Sequence, residues 1–159
     1  MPDTTIARNL ERLGLTLPGA PAPVASYAPA RRSGDLVHIS GQIPLVDGAL
    51  LATGRVPDEV DEPTAARCAR QCTLNGLACL EAEIGDLERI DRVVRVGVFV
   101  AATPAFTAHP AIANGCSDLL AEILGQRGVH ARAAVGVASL PLGAPVEIEF
   151  AFRITPTGG

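Results

Sequence analysis

Few side chains in this sequence have types and spacing that indicate chemistry, and Arg132 is the most distinctive of them. It is the one charged residue in the segment from Ala131 to Ala138, at the start of an otherwise apolar strand. An arginine at a strand edge with its charge in water is the ordinary explanation. The alternative is a guanidinium group held by a rigid strand, able to bind a carboxylate through two parallel hydrogen bonds.

Two carboxylates near the end of the chain are the residues that could act together with this arginine. Glu147 and Glu149 alternate with apolar residues, so they share one face of a predicted strand. Such carboxylates are ordinarily solvated, but one that lies near Arg132 could orient a water molecule. We expect the strand of Arg132 and the strand of the two glutamates to be neighbours.

The histidines and cysteines form no recognisable catalytic or metal-binding pattern. We expect His38 to pack or pair within a strand, His109 to lie in a loop, and His130 to begin a strand, where it could also line a site. The cysteines lack CxxC and zinc-finger spacing, and three of the four share one stripe of a helix. We interpret them as small apolar packing residues, with metal binding and redox chemistry as alternatives. They are Cys68, Cys72, Cys79 and Cys116.

Composition and charge exclude several classes of protein. The 159 residues are 48% apolar and 19% charged, enough for one domain with a sizeable core. No apolar run approaches the roughly 20 residues that span a bilayer, and no signal-peptide pattern is present, so we expect a cytoplasmic protein. The net charge of −4 disfavours nucleic-acid binding. GxGxxG, P-loop, HExxH and GxSxG motifs are absent from the sequence.

Hydrophobic periodicity and glycine and proline signals predict the elements that must position these residues. They favour one α+β domain with helices on one face of a sheet, preceded by an N-terminal helical extension over residues 1–20. The predicted helices are Thr4–Leu13, Pro63–Ile84 and Pro110–Leu124, and the predicted strands are Ser26–Arg31, Leu36–Gly41, Arg92–Ala101, Ala131–Ser139 and Pro145–Ile154.

The sheet face opposite the helices must meet water or another subunit. Neither face of the strand that carries Arg132 is strongly polar, so we infer that the protein forms oligomers. The two faces hold Ala134, Gly136 and Ala138 on one side, and Ala133, Val135 and Val137 on the other.

Several short motifs occur in an order that is specific to one family. They are Ser40-Gly41-Gln42-Ile43-Pro44, Val96-Gly97-Val98-Phe99-Val100 with Phe106, Ala131-Arg132, Val135-Gly136-Val137, Leu140-Pro141 and Val146-Glu147-Ile148-Glu149. With them the chain resembles the RidA family, also called YjgF, from about Ala25 to Ile154. The resemblance implies a chorismate-mutase-like α+β fold with a mixed sheet in a domain over 21–159. It also implies a homotrimer with pockets between subunits.

The resemblance further implies an activity and a set of site residues. Archetypal members hydrolyse reactive 2-imino acids, such as 2-iminopropanoate and 2-iminobutanoate, to 2-keto acids and ammonia without a metal or organic cofactor. By this resemblance Arg132 clamps the substrate carboxylate, Glu147 positions the attacking water, and Tyr27 completes the catalytic set. The implied substrate-binding residues are Ser40, Gly41, Asn114 and Ala134. Because an imine is already electrophilic, orientation and a proton path are the main requirements for catalysis.

The chain departs from the archetypes at three places. Ala134 stands where many of them have cysteine, residues 1–20 are an addition, and the loop Thr103–Pro110 is longer. A non-catalytic protein that binds 2-keto acids or other short carboxylic acids is therefore the alternative function. Ribonuclease activity, an older description of the family, is disfavoured by the acidic charge, the scarcity of aromatic residues and the lack of a histidine pair.

Overall fold

The secondary structure follows the predicted pattern except at the first strand, which was expected over Ser26–Arg31 but begins only at Ala30 and ends at Ser33. The computed structural model describes residues 5–23 and 25–156, so Thr4, the predicted start of the first helix, lies outside the described residues. The helices are α1 (Ile6–Arg12), α2 (Glu62–Ile84) and α3 (His109–Leu124), with 3-10 turns at Leu87–Arg89, Gly125–Gly128 and Pro141–Gly143. The strands are β1 (Ala30–Ser33), β2 (Leu36–Gln42), β3 (Leu45–Val46), β4 (Ala49–Leu50), β5 (Ile90–Ala101), β6 (Ala131–Val137) and β7 (Val146–Ile154). Among these helices, none has the length and apolar character needed to cross a lipid bilayer.

Local signals set the ends of the long helix α2. The Asp61 side chain accepts a hydrogen bond of 2.8 Å from the backbone N–H of Thr64, which satisfies one free donor of the first turn. Pro63 occupies that first turn, where its missing N–H is not needed. Gly85 ends the helix in the left-handed conformation, at φ +82°. The observed helix therefore begins one residue before the prediction and ends where predicted.

The order of strands in the main sheet corrects one expectation. The order is β1-β2-β7-β5-β6, with β5 and β6 parallel and the other pairs antiparallel. The strands of Arg132 and Glu147 are therefore not neighbours, because β5 lies between them. The crossover through α3 places β6 parallel to β5. The alternating large residues of β7 occupy an inner position, whereas the small residues of β6 suit an edge.

Helices α2 and α3 cover one face of this sheet, as predicted for the α+β class. Phe150 of β7 lies on that face against α2, where a Cβ atom on Gly76 would come within 2.5 Å of the phenylalanine ring. Glycine at this position therefore allows the helix to approach the sheet closely. Glu147 and Glu149 alternate with buried residues of β7 and point to the opposite face, which we call the open face.

The cysteines serve as packing residues. All four side chains are buried, and none is in a disulfide bond. Burial raises the pKa of Cys68 to about 11 and that of Cys116 to about 12, so both thiols stay protonated at neutral pH. Within residues 5–23 and 25–156, no three His, Cys, Asp or Glu side chains come together as a metal site.

The N-terminal helix packs on α3. Asn9 donates a hydrogen bond of 2.9 Å to the carbonyl of Ile123, and Ile6 is fully buried against the core. Contacts between α1 and α3 accompany these interactions. The helix is thus docked on the element that also carries Asn114, while the division of the chain at residue 20 remains a prediction.

Asn75 connects α2 to the loop that follows β2. Its side chain is fully buried, and its amide group donates to the carbonyls of Ile43 and Leu45, each at 3.1 Å. Its oxygen accepts a hydrogen bond of 3.0 Å from Gln71. Every polar atom of this buried amide therefore has a partner, and the loop is held against the helix.

We expect Asn75→Ala to lower the free energy of unfolding by about 2 kcal/mol or more, because two carbonyls would lose their partner. Urea unfolding at one protein concentration measures this change. Gln71→Ala is the matched control, since it removes a single hydrogen bond to the same amide and should cost about 1 kcal/mol or less. Equal losses in the two variants would contradict the assignment.

Candidate functional site

A cleft at the end of the open face brings together four of the predicted site residues. Its volume is about 440 Å³, and we call it the glutamate cleft. The predicted residues in it are Tyr27, Ser40, Gly41 and Glu147, and its remaining lining residues are Ala25, Ile43 and Pro141. Polar groups therefore converge in the cleft with an apolar wall beside them, as is usual for a small-molecule site.

Ser40 holds the segment that carries Tyr27. Its hydroxyl donates a hydrogen bond of 2.7 Å to the carbonyl of Ala28, and its backbone N–H donates one of 2.9 Å to the carbonyl of Pro29. The pairing of β2 with β7 shifts register between Ile39 and Gln42, so the chain bends at this point. Because the Ser40 proton is already engaged, this hydroxyl can only accept a hydrogen bond from a ligand.

Gly41 leaves room for the carboxylate of Glu147. A Cβ atom on Gly41 would overlap Oε1 of Glu147. The carboxylate therefore packs directly on the glycine backbone. This contact gives a physical reason for glycine in the Ser40-Gly41 motif, beyond the resemblance that pointed to it.

Glu147 is a carboxylate in an unfavourable environment. It is half-buried, and desolvation raises its pKa, with a further contribution from the charge of Glu149. Glu149 itself forms an ion pair of 3.1 Å with Arg95. Among the described residues, no hydrogen bond to the Glu147 carboxylate offsets its desolvation. A raised pKa suits a group that accepts a proton near neutral pH.

Arg132 lies in a second group of side chains, which we call the arginine cluster: Arg132, Asn114, Ser117 and His130. Arg132 is on the helix-covered face of β6, where its Nη1 donates to Oδ1 of Asn114 at 2.9 Å and to Oγ of Ser117 at 3.0 Å. Both protons of Nη1 are therefore in use. Its Nε and Nη2 have no partner among the described residues, and this edge of the guanidinium has the shape that binds a carboxylate.

The structure does not bring the arginine cluster and the glutamate cleft together within one chain. Arg132 and Phe150 both lie opposite Val96 in the sheet register, on the helix-covered face. Glu147 is on the open face, three residues from Phe150 and two strands away from β6, so the two α-carbons are roughly 14 Å apart. Ala134 follows Arg132 on the helix-covered face and is half-buried.

The histidines differ in part from their expected positions. His38 pairs within β2 but is exposed rather than packed. His109 begins α3 rather than lying in a loop, and its ring contacts Phe106 edge-on and covers Gly136. His130 directly precedes β6, as expected.

Sequence reasoning missed Ser117 and the supporting role of Asn75. Ser117 comes three residues after Asn114, so both lie on one face of α3, and this spacing was a usable signal. Asn75 left no comparable signal, because its partners are backbone carbonyls more than 29 residues away in the chain.

We expect Glu147→Gln to stabilise the protein at neutral pH. The pKa of Glu147 is raised in the folded state, so its contribution to stability is complete below the pKa of the unfolded chain and declines as the pH rises through the folded pKa. Glutamine removes this decline, with a gain in Tm of about 1–3 °C at pH 7 that shrinks towards pH 4.

Thermal unfolding followed by circular dichroism at a series of pH values measures the difference. Glu83→Gln, on the exposed surface of α2, is the control for loss of one negative charge. A Glu147→Gln protein that is less stable than wild type at pH 7, or a difference that does not change with pH, would contradict the assigned environment.

Comparisons with known proteins agree with the resemblance. Residues 7–151 match the family model described as "YjgF/chorismate_mutase-like, putative endoribonuclease". A Trypanosoma cruzi protein, TCP17, is 43% identical over 91% of each chain, and a 2-iminobutanoate/2-iminopropanoate deaminase of Dermatophagoides farinae is 35% identical over 85% of this chain and 91% of its own. The crystal structure of the Agrobacterium tumefaciens protein Atu1372, of unknown function, has a TM-score of 0.87 at 43% identity and covers 94% of this chain and 92% of its own. On the strength of the family match and these relatives, the chain belongs to the YjgF/RidA family of chorismate-mutase-like α+β proteins.

Proposed function

We propose that the protein hydrolyses small reactive 2-imino acids to 2-keto acids and ammonia, at a site completed by two copies of the chain. The observation that carries the proposal is the pair of complementary half-sites. The arginine cluster presents an unused guanidinium edge, and the glutamate cleft presents a desolvated carboxylate. The relative named as a deaminase supports the same reaction.

The half-sites have the groups that the reaction needs. The Nε and Nη2 edge of Arg132 binds the substrate carboxylate and so orients C2 of the imine. Glu147 takes a proton from water as the water oxygen bonds to C2, and passes it to the imine nitrogen to give a neutral tetrahedral carbinolamine. Glu147 then moves the hydroxyl proton of this intermediate to the amine nitrogen, so that ammonia leaves as the C–N bond breaks and the C=O bond forms. The Tyr27 hydroxyl is in the cleft, where it can form a hydrogen bond with the leaving nitrogen.

The other residues that line the site suit a small substrate. Ser40 can accept a hydrogen bond, while Gly41 keeps the backbone close to the ligand. Ile43 and Pro141 provide an apolar wall for a short side chain such as methyl or ethyl. Asn114 and Ala134 lie on the arginine side of the site. The hydrolysis uses water and these side chains, with no further group required by its chemistry.

A homotrimer is the assembly that we propose. In the described chain, β6 forms an edge of the sheet and has one side of its backbone unpaired, which is a feature that proteins ordinarily cover or protect. Val135 on the open face of β6 is 45% exposed. Contact between β6 of one copy and the open face of the next would cover both surfaces and bring Arg132 towards Glu147.

We expect Arg132→Ala and Arg132→Lys to reduce kcat/KM by about 100-fold or more, because neither can form the two parallel hydrogen bonds of a guanidinium with a carboxylate. The assay measures ammonia or keto-acid release from 2-iminopropanoate and 2-iminobutanoate made in situ by an amino-acid oxidase. Arg67→Ala, on the exposed surface of α2, should retain wild-type activity.

Three other outcomes would revise the function. Equal rates for wild type and Arg132→Ala would remove Arg132 from the mechanism. If the wild-type protein does not accelerate hydrolysis but binds 2-oxobutanoate through Arg132 in calorimetry, the non-catalytic binding function would replace the deaminase. If the wild-type protein neither accelerates hydrolysis nor binds 2-oxobutanoate, Arg132 does not act as a carboxylate-binding residue.

Mixed oligomers test whether two chains share each site. Arg132→Ala and Glu147→Gln should each be inactive alone, but unfolding and refolding them together should restore about a quarter of wild-type activity, since random assortment places two intact halves in about one site in four. Mass spectrometry of differently tagged chains verifies the mixing. Mixed trimers without activity would show that the two residues do not serve one shared site.

A further inference from the structure

Ser117 and His130 form a chain of hydrogen bonds that ends on Arg132. Nε2 of His130 lies 2.9 Å from Oγ of Ser117, and Nδ1 of His130 lies 2.6 Å from the carbonyl oxygen of Gly128. Oγ of Ser117 in turn accepts the hydrogen bond from Nη1 of Arg132. All three side chains are at least half-buried at this junction of α3 and β6.

The Gly128 carbonyl at one end of this series sets which atom donates and which accepts in each hydrogen bond. A backbone carbonyl can only accept, so the proton of a neutral His130 is on Nδ1, and Nε2 is an acceptor. The Ser117 hydroxyl therefore donates to Nε2 and turns its lone pairs towards Arg132.

This arrangement leaves Ser117 as an acceptor with a fixed orientation. Asn114 accepts the other proton of Nη1, so the guanidinium is held on one edge by two side chains of α3. The long side chain of an arginine has many conformations, and holding one edge restricts them before a ligand arrives. The opposite edge, Nε and Nη2, is the one that remains for a carboxylate.

We propose that Ser117 and His130 are positioning residues. They orient Arg132 through a series of hydrogen bonds that runs from the Gly128 carbonyl to His130, from His130 to Ser117, and from Ser117 to Arg132. The proposal deepens the proposed function and rests on it for the activity assay. It assigns a role to Ser117, which the sequence did not single out, and a definite tautomer to His130. Neither residue touches the substrate in this proposal.

Kinetics separate positioning from catalysis. We expect Ser117→Ala to raise KM for 2-iminobutanoate and Kd for 2-oxobutanoate by about 10-fold, with kcat changed less than about threefold, because carboxylate binding is lost equally in ground and transition states. Ser117→Thr keeps the hydroxyl and should recover most of the affinity. Ser139→Ala, an exposed serine after β6, is the control.

The histidine variants test the hydrogen bond between His130 and Ser117. His130→Gln can place an amide oxygen near the position of Nε2 and should retain more affinity than His130→Phe, which has no acceptor. Thermal unfolding of each variant checks that the fold persists. Equal affinities for His130→Gln, His130→Phe and wild type would overturn the role of His130.

Nuclear magnetic resonance gives a readout that needs no activity. Long-range ¹H–¹⁵N spectra should show the neutral form of His130 protonated on Nδ1 and unprotonated on Nε2. Rotation of the Arg132 guanidinium should be slow in wild type and faster in Ser117→Ala. A neutral His130 with its proton on Nε2, or identical Arg132 rotation in the two proteins, would overturn the proposal even if the deaminase assay succeeds. If that assay fails for wild type, the two spectra still decide the proposal.

Discussion

The position of β5 between β6 and β7 is the constraint on which the proposed chemistry of this molecule depends. The shared register puts Arg132 and Phe150 opposite the same residue, Val96, and therefore on the helix-covered face. Glu147 is an odd number of residues from Phe150, so it must point to the open face. No side-chain rotation in one chain can overcome a separation of roughly 14 Å across two strands and two faces. Chemistry that uses both groups therefore requires a second chain.

Close packing at two glycines supports the glutamate side of the proposed site. Gly76 lets α2 approach Phe150, which brings Asn75 within reach of the loop carbonyls. Gly41 then provides the space in which the Glu147 carboxylate rests. The desolvation of that carboxylate disfavours its charged form, and so the charged carboxylate lowers the folding stability of the protein. Functional sites commonly show this conflict between stability and activity.

The arginine side depends on α3. The helix α1 packs against one part of α3, where Asn9 donates a hydrogen bond to the carbonyl of Ile123, while another part of α3 holds Arg132 through Asn114. The guanidinium is thus anchored to a helix that is itself packed on both the sheet and the N-terminal helix. A rigid support of this kind is what a carboxylate-binding arginine needs, because disorder in the free protein weakens binding.

The sequence by itself determined the three helices, four of the main-sheet strands, the α+β class and the family, whereas it misplaced β1 and did not give β3 and β4. Asp61, Pro63 and Gly85 act within a few residues of themselves, so the bounds of α2 could be read locally. The motifs that carry the resemblance also led to Arg132 and Glu147. Tertiary structure alone decided that β5 separates their strands, since strand order depends on which faces bury best rather than on chain order. It also decided the partners of Arg132, because the hydrogen bonds of the arginine cluster join residues 13 to 18 positions apart and leave no periodic pattern in the chain.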